Sequence, residues 1–125
     1  MHLQRGMSVL ELEPFIPSGA DHALSKKFFA ELGFQVNWQT DELCELQLGG
    51  VKLLLQNYHN KEMQDNLMMH VLVDDLDEFW TNLGESGVVD RYEAVSAREP
   101  TVFPCGREVH LIDPAGVCWH FAGNR

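Results

Sequence analysis

Two stretches of this chain repeat one another, and that repetition limits its fold more than any other feature. Asp21 stands twelve positions before Gly33, and Asp75 stands the same twelve before Gly87. Each aspartate is placed to cap a helix and each glycine to stop one in the left-handed conformation. Further on, Gly50-Val51-Lys52-Leu53-Leu54-Leu55 lines up with Gly116-Val117-Cys118-Trp119-His120-Phe121. The chain therefore reads as two copies of one module, about 8 to 57 and 67 to 122.

Each copy reads as strand, helix and three strands. In the first, Val9 to Ile16 is a strand that Pro17, Ser18 and Gly19 break, and Leu24, Phe28 and Leu32 form the apolar stripe of a helix. Phe34 to Trp38, Leu43 to Leu48 and Val51 to Gln56 follow as short strands, and residues 57 to 66 as a polar connection without periodicity. In the second, Leu67 to Val73 is a strand and Leu76, Phe79, Trp80 and Leu83 form the next stripe. Such a module cannot bury both faces of its sheet alone. The expectation is one α+β domain over residues 1–125, two paired βαβββ modules with helices outside and a concave sheet surface enclosing a cleft.

Asp113-Pro114-Ala115-Gly116 is a strong turn signal, and a three-residue hairpin loop there sets Asp113 beside Val117. His110 then falls opposite His120. Alternation puts His110, Ile112, Cys118 and His120 on one face and the greasier Val109, Leu111, Trp119 and Phe121 on the other, so the histidine face is left for the cleft. In strand 67–73 alternation alone leaves both sets open; analogy with the first module assigns Met68, His70 and Leu72 to the cleft. Trp80 and Trp119 lie on packing faces. Trp38, beside polar Asn37, Gln39 and Thr40, is the candidate for an exposed stacking surface.

Charge and cysteine content narrow the chemistry. Nine Lys+Arg against nineteen Asp+Glu give a formal charge of -10, which repels nucleic acid and anionic membranes and favours cationic partners. Cys44, Cys105 and Cys118 have no CxxC spacing and read as free thiols. The opening MHLQRGMSVLELEP lacks the apolar run of a signal peptide, and no stretch approaches the ~18 apolar residues of a membrane span, so a cytoplasmic location is expected.

The repeated plan, Glu31-Leu32-Gly33-Phe34, Val71 to Asp77, and Gly106-Arg107-Glu108 followed by Asp113 to Gly116 resemble the glyoxalase/bleomycin-resistance/dioxygenase (vicinal oxygen chelate) superfamily. The run through Cys118-Trp119-His120-Phe121, with Asp65-Asn66, is most similar to its bleomycin-binding resistance proteins. That resemblance implies a bacterial homodimer that sequesters a cationic, partly aromatic drug in clefts between subunits, using stacking and carboxylates. Trp38 stands where those proteins carry a stacking aromatic; at the second stacking position this chain has Cys105, with Phe103 two residues away as a substitute. Asp41, Glu42 and Glu45 are the nearest carboxylates to Trp38. Pro14 and Pro17 resemble first-strand prolines near which such proteins exchange N-terminal strands.

The superfamily also implies an alternative, a metal-dependent glyoxalase-, dioxygenase- or thiol-transferase-like enzyme. Its ligand positions map onto Glu13, Leu54, Met68 and His120, of which Leu54 has no donor and Met68 is a poor ligand for hard or borderline ions. The expectation is no metal and no cofactor, with Glu13, His70, His110 and His120 as the fallback set. The ligand residues expected are Trp38, Phe103, Cys105, His70, His110, His120 and Glu45. A third possibility is a dimer with a structural or regulatory role.

Overall fold

The computed structural model describes residues 5–123. Its elements are β1 (Phe15–Pro17), α1 (His22–Leu32), β2 (Gln35–Gln39), β3 (Leu43–Leu48), β4 (Val51–Gln56), α2 (Lys61–Asn66), β5 (Met68–Leu72), α3 (Leu76–Ser86), β6 (Ser96–Phe103), β7 (Gly106–Ile112) and β8 (Cys118–Ala122). They form two four-stranded sheets of matching topology, β1-β4-β3-β2 and β5-β8-β7-β6. In each, the first strand runs parallel to the last and the remaining pairs are antiparallel. The paired βαβββ arrangement is therefore the observed fold.

Local chemistry sets the helix ends as the repeat predicts. Asp21 Oδ1 accepts from Leu24 N at 3.0 Å, and Asp75 Oδ1 accepts from Glu78 N at 3.0 Å. Gly33 at φ 121° and Gly87 at φ 69° close the two helices in a region that side chains disfavour.

Three local expectations are corrected. The apolar stripe of α1 is turned: Ser25, Phe28 and Phe29 are buried while Leu24 is exposed. Ser25 tolerates burial because its hydroxyl donates to the Ser18 carbonyl. Residues 57–66 are not a featureless connection, because Asn60 Oδ1 accepts from Met63 N at 3.0 Å and starts the six-residue α2. Its buried Gln64 donates to the Ala115 carbonyl at 2.9 Å, which braces the last hairpin turn. The first strand begins at Phe15, not Val9, and includes Pro17; the Pro14 carbonyl still accepts from Leu54 N at 2.9 Å.

One face of each sheet lies in a common core. Phe29 of α1 packs edge-on against Trp119 of β8 at 5.5 Å, and Phe34 does so at 5.9 Å. Phe79 of α3 stacks on Phe121 at 4.3 Å. The modules are also tied at their surface, where the Tyr92 hydroxyl donates to Glu31 Oε2 at 2.7 Å and Arg91 Nη2 lies 3.3 Å from the same oxygen. Burial and that carboxylate push the Tyr92 phenol up to about 12, so it remains a donor. Among the described residues no helix is long and apolar enough to cross a membrane.

Candidate functional site

The opposite face of each sheet is left open, and the histidine face is built by the last hairpin. The Asp113 backbone N–H donates to the Val117 carbonyl (3.0 Å), and its side chain accepts from Ala115 N (2.8 Å), Val117 N (3.1 Å) and Trp119 Nε1 (3.0 Å). Burial raises this carboxyl to about 6 against those three side-chain hydrogen bonds, which favour its ionised form. With the turn so fixed, His110 lies opposite His120. Val109, Leu111, Trp119 and Phe121 fall on the buried side, as alternation predicts. The parallel pairing of β5 and β8 sets His70 beside His120, and β6 sets Arg98 beside His110. His70, His120, His110 and Arg98 thus form one row across the sheet.

The three histidines of this row converge on Glu108, two residues before His110 on β7 and 5% exposed. Its Oε1 lies 2.9 Å from His110 Nε2 and 3.1 Å from His120 Nδ1, and its Oε2 lies 3.6 Å from His70 Nε2. The hydrogen bond from His110 holds the Glu108 carboxyl below its usual range, with His120 adding to it against the opposing effect of burial. An ionised carboxylate only accepts, so both bonded ring nitrogens donate. That leaves Nδ1 of His110 and Nε2 of His120 as the remaining ring nitrogens, and His120 Nε2 is buried without a hydrogen-bond partner. The rings are also in contact: Phe103 stacks on His110 at 4.4 Å and 17°, His110 meets His120 tilted by 43° at 4.0 Å, and the Arg98 guanidinium carbon is 5.6 Å from the Phe103 ring centre.

In the other sheet the equivalent row is Phe15, Leu54, Glu45 and Trp38, since Leu54 pairs with Phe15 and Glu45, and Glu45 with Trp38. Trp38 is 45% exposed on the edge strand β2. Beside it, Glu45 accepts from Asn37 Nδ2 at 3.0 Å and is paired with Glu13. The two neighbouring carboxyls perturb one another in opposite directions, Glu13 being raised chiefly by Glu45 and Glu45 lowered chiefly by Glu13, while Glu13 Oε1 is buried without a hydrogen-bond partner. Asp41 and Glu42 sit in the exposed β2–β3 turn.

The expected ligand residues thus fall into two groups. Trp38 and Glu45 share the open face of the first sheet, while Phe103, His70, His110 and His120 share that of the second. Cys105 lies exposed in the β6–β7 turn, outside the ring stack. A single chain therefore presents these residues on two separate sheet faces. A pocket at the head of α1, about 290 Å³ and lined by Ser18, Asp21, His59, Lys61 and Gln64 among others, contains none of these residues, whereas another of about 270 Å³, lined by Leu12, Pro14, Lys52, Met69 and Trp119 among others, contains His70.

The superfamily's metal positions do not fit an ion of the kind its enzymes use. The Glu13 carboxyl is raised by its neighbour Glu45, Leu54 offers no donor, and the Met68 thioether is exposed on the other sheet. The fallback set is divided in the same way, with Glu13 beside the first sheet and His70, His110 and His120 on the second. Two residues of the histidine face were not singled out from the sequence as site residues, Glu108 and Cys118. The signal was present, because Glu108 has the parity of His110 and Cys118 that of His120.

By sequence, no protein-family model matches the chain and no curated protein matches it. Solved structures do. The bleomycin-binding protein of Streptomyces verticillus complexed with copper(II)-bleomycin aligns at TM-score 0.78 and 21% identity over 95% of this chain and 99% of that one. TnmS3, an antibiotic binding protein from Streptomyces sp. CB03234, aligns at 0.70 and 19% over 94% and 99%. Lactoylglutathione lyase from Agrobacterium tumefaciens aligns at 0.66 and 16% over 91% and 93%. At these identities the likeness establishes the fold alone, the paired βαβββ arrangement that these structures share.

Proposed function

We propose that this chain is a non-catalytic binding protein of the bleomycin-resistance type, which sequesters a cationic, partly aromatic compound in the bacterial cytoplasm. The observation that carries this reading is the exposed Trp38 indole beside the Glu45 carboxylate, which its neighbours hold below the usual carboxylate range. An indole face and a desolvated carboxylate together suit a flat cation, the one by stacking and cation–π contact, the other by charge. The solved antibiotic-binding relatives in fold support the same class of ligand.

The cleft is completed in a homodimer. Each half-site of one chain is open, and a copy related by a two-fold axis can set the Trp38 face against the Phe103–His110–His120 face of its partner. Exposed apolar side chains favour such covering: Leu10 is 86% exposed, Leu12 87% and Met68 65%. Leu10 and Leu12 precede the short β1, so the N-terminal segment is the part suited to exchange between subunits. A metal-enzyme reading gains nothing from the geometry of Glu13, Leu54, Met68 and His120.

A thermal-shift series on metal-stripped protein with bleomycin and a panel of cationic aromatic antibiotics tests the reading. Specific native-state binding raises the unfolding temperature in a concentration-dependent way. A flat response to every compound, in protein that sediments as a dimer, contradicts the ligand class; sedimentation as a monomer at micromolar concentration contradicts the shared cleft.

A further inference from the structure

The histidine face also places two imidazoles and a thiol together in a way that neither the repeat nor the fold requires. His110, Cys118 and His120 each offer a donor atom, and the three atoms lie within 4.8 Å of one another. The hairpin register creates this triangle, because His110 faces His120 across β7 and β8 and Cys118 is two residues from His120 on the same face. All three are half-buried.

We propose that His110, Cys118 and His120 form a binding site for a zinc-class divalent ion, separate from the four-strand positions of the superfamily and sharing only His120 with them. Two observations beyond proximity support it. Glu108 holds one nitrogen of each imidazole, which orients the rings and directs their remaining nitrogens elsewhere, as carboxylates do behind metal-bound histidines. The buried Nε2 of His120 has no hydrogen-bond partner, a cost that a bound ion would remove.

Two nitrogens and a sulfur select borderline ions over Mg²⁺, Ca²⁺ or Mn²⁺, which prefer oxygen. Zinc bonds to such donors imply ligand atoms roughly 3.3–3.6 Å apart in a tetrahedron, so the donor atoms need to draw together by up to about 1.5 Å. Burial keeps the Cys118 thiol protonated in the free protein, and binding exchanges that proton, released to solvent, for the ion. Three protein donors leave a fourth position for water or an added ligand.

Cobalt(II) titration of the metal-stripped full chain reads this site through its thiolate-to-cobalt absorption band. The expected result is a band that saturates at one ion per chain, disappears in Cys118→Ser, persists in Cys105→Ser and needs at least tenfold more cobalt in His110→Ala. Absence of the band, or its survival in Cys118→Ser, overturns the site. Because Cys118→Ser can fail to fold, zinc protection is measured on the unaltered chain as well: saturating Zn²⁺ should slow alkylation of Cys118 at least tenfold while leaving exposed Cys105 unchanged. Equal slowing of both thiols, or of neither, also overturns it. Neither measurement depends on drug binding.

Discussion

The two modules share a scaffold and differ at every position of one row. Across β1-β4-β3-β2 the open face carries Phe15, Leu54, Glu45 and Trp38; across β5-β8-β7-β6 the equivalent positions carry His70, His120, His110 and Arg98. The first row is apolar and acidic, the second imidazole-rich and basic. Behind the rows the modules match, with capped helices and buried apolar strands. Duplication supplied one scaffold twice, and the open faces diverged into unlike halves. Unlike halves suit the proposed cleft between two chains, since each cleft of such a homodimer would receive one of each.

The same contrast applies to the tryptophans and predicts the largest effect. Trp119 is buried at the junction of the modules, and Trp119→Ala should cost about 3 to 5 kcal/mol in urea denaturation, the scale of deleting a large core aromatic. A loss under about 1 kcal/mol would show that the modules are not joined through that ring.

The β-turns differ next. The β3–β4 turn of the first module is braced by the half-exposed Gln47, whose amide donates to the Gly49 carbonyl at 3.0 Å, whereas the second uses buried Asp113. Because the folded Asp113 pKa is raised to about 6 from 3.8, its contribution is fully present below about pH 4 and is lost as pH rises through 6. A shift of that size corresponds to about 3 kcal/mol. The stability difference between the unaltered chain and Asp113→Asn, followed by urea midpoints, should shrink from pH 4 to pH 7; a difference that widens would reverse the sign assigned to this carboxyl.

The smallest stability effects concern the shared scaffold. Asp21→Ala and Asp75→Ala should each cost about 1 kcal/mol, because each removes one side-chain bond to a helix N-terminus. If thermal or urea unfolding finds one cap several-fold more important than the other, the structural equivalence of the modules is weaker than their backbones imply.

What the sequence disclosed follows from what is periodic in it. Twelve-residue spacings, alternation in β7 and β8 and the Asp-Pro-Ala-Gly turn encode helices, faces and register directly, and His110 opposite His120 could be derived from them. Helix α2 was hidden because six residues are too few for a period, and its start rests on one side chain, Asn60. The turn of α1 was misjudged because Ser25 counts as polar until its bond to Ser18 is seen. Glu108 was passed over for a similar reason: a carboxylate on an inward face reads as a motif residue until three histidines are found around it. The division of the ligand residues between two sheets was not legible, since parity assigns a face within a sheet and says nothing about which faces meet.

The central claim, that the Trp38 face holds the ligand, is tested most directly by Trp38→Ala with two readouts on the same preparation: affinity for a cationic aromatic compound that shifts the unaltered protein, and the denaturant midpoint. The account predicts a loss of about 1 to 3 kcal/mol in binding, the scale of stacking and cation–π contact in a desolvated site, with little change in midpoint. A midpoint lowered by the equivalent of about 3 to 5 kcal/mol, with affinity per folded molecule unchanged, would make Trp38 a packing residue and contradict the assignment.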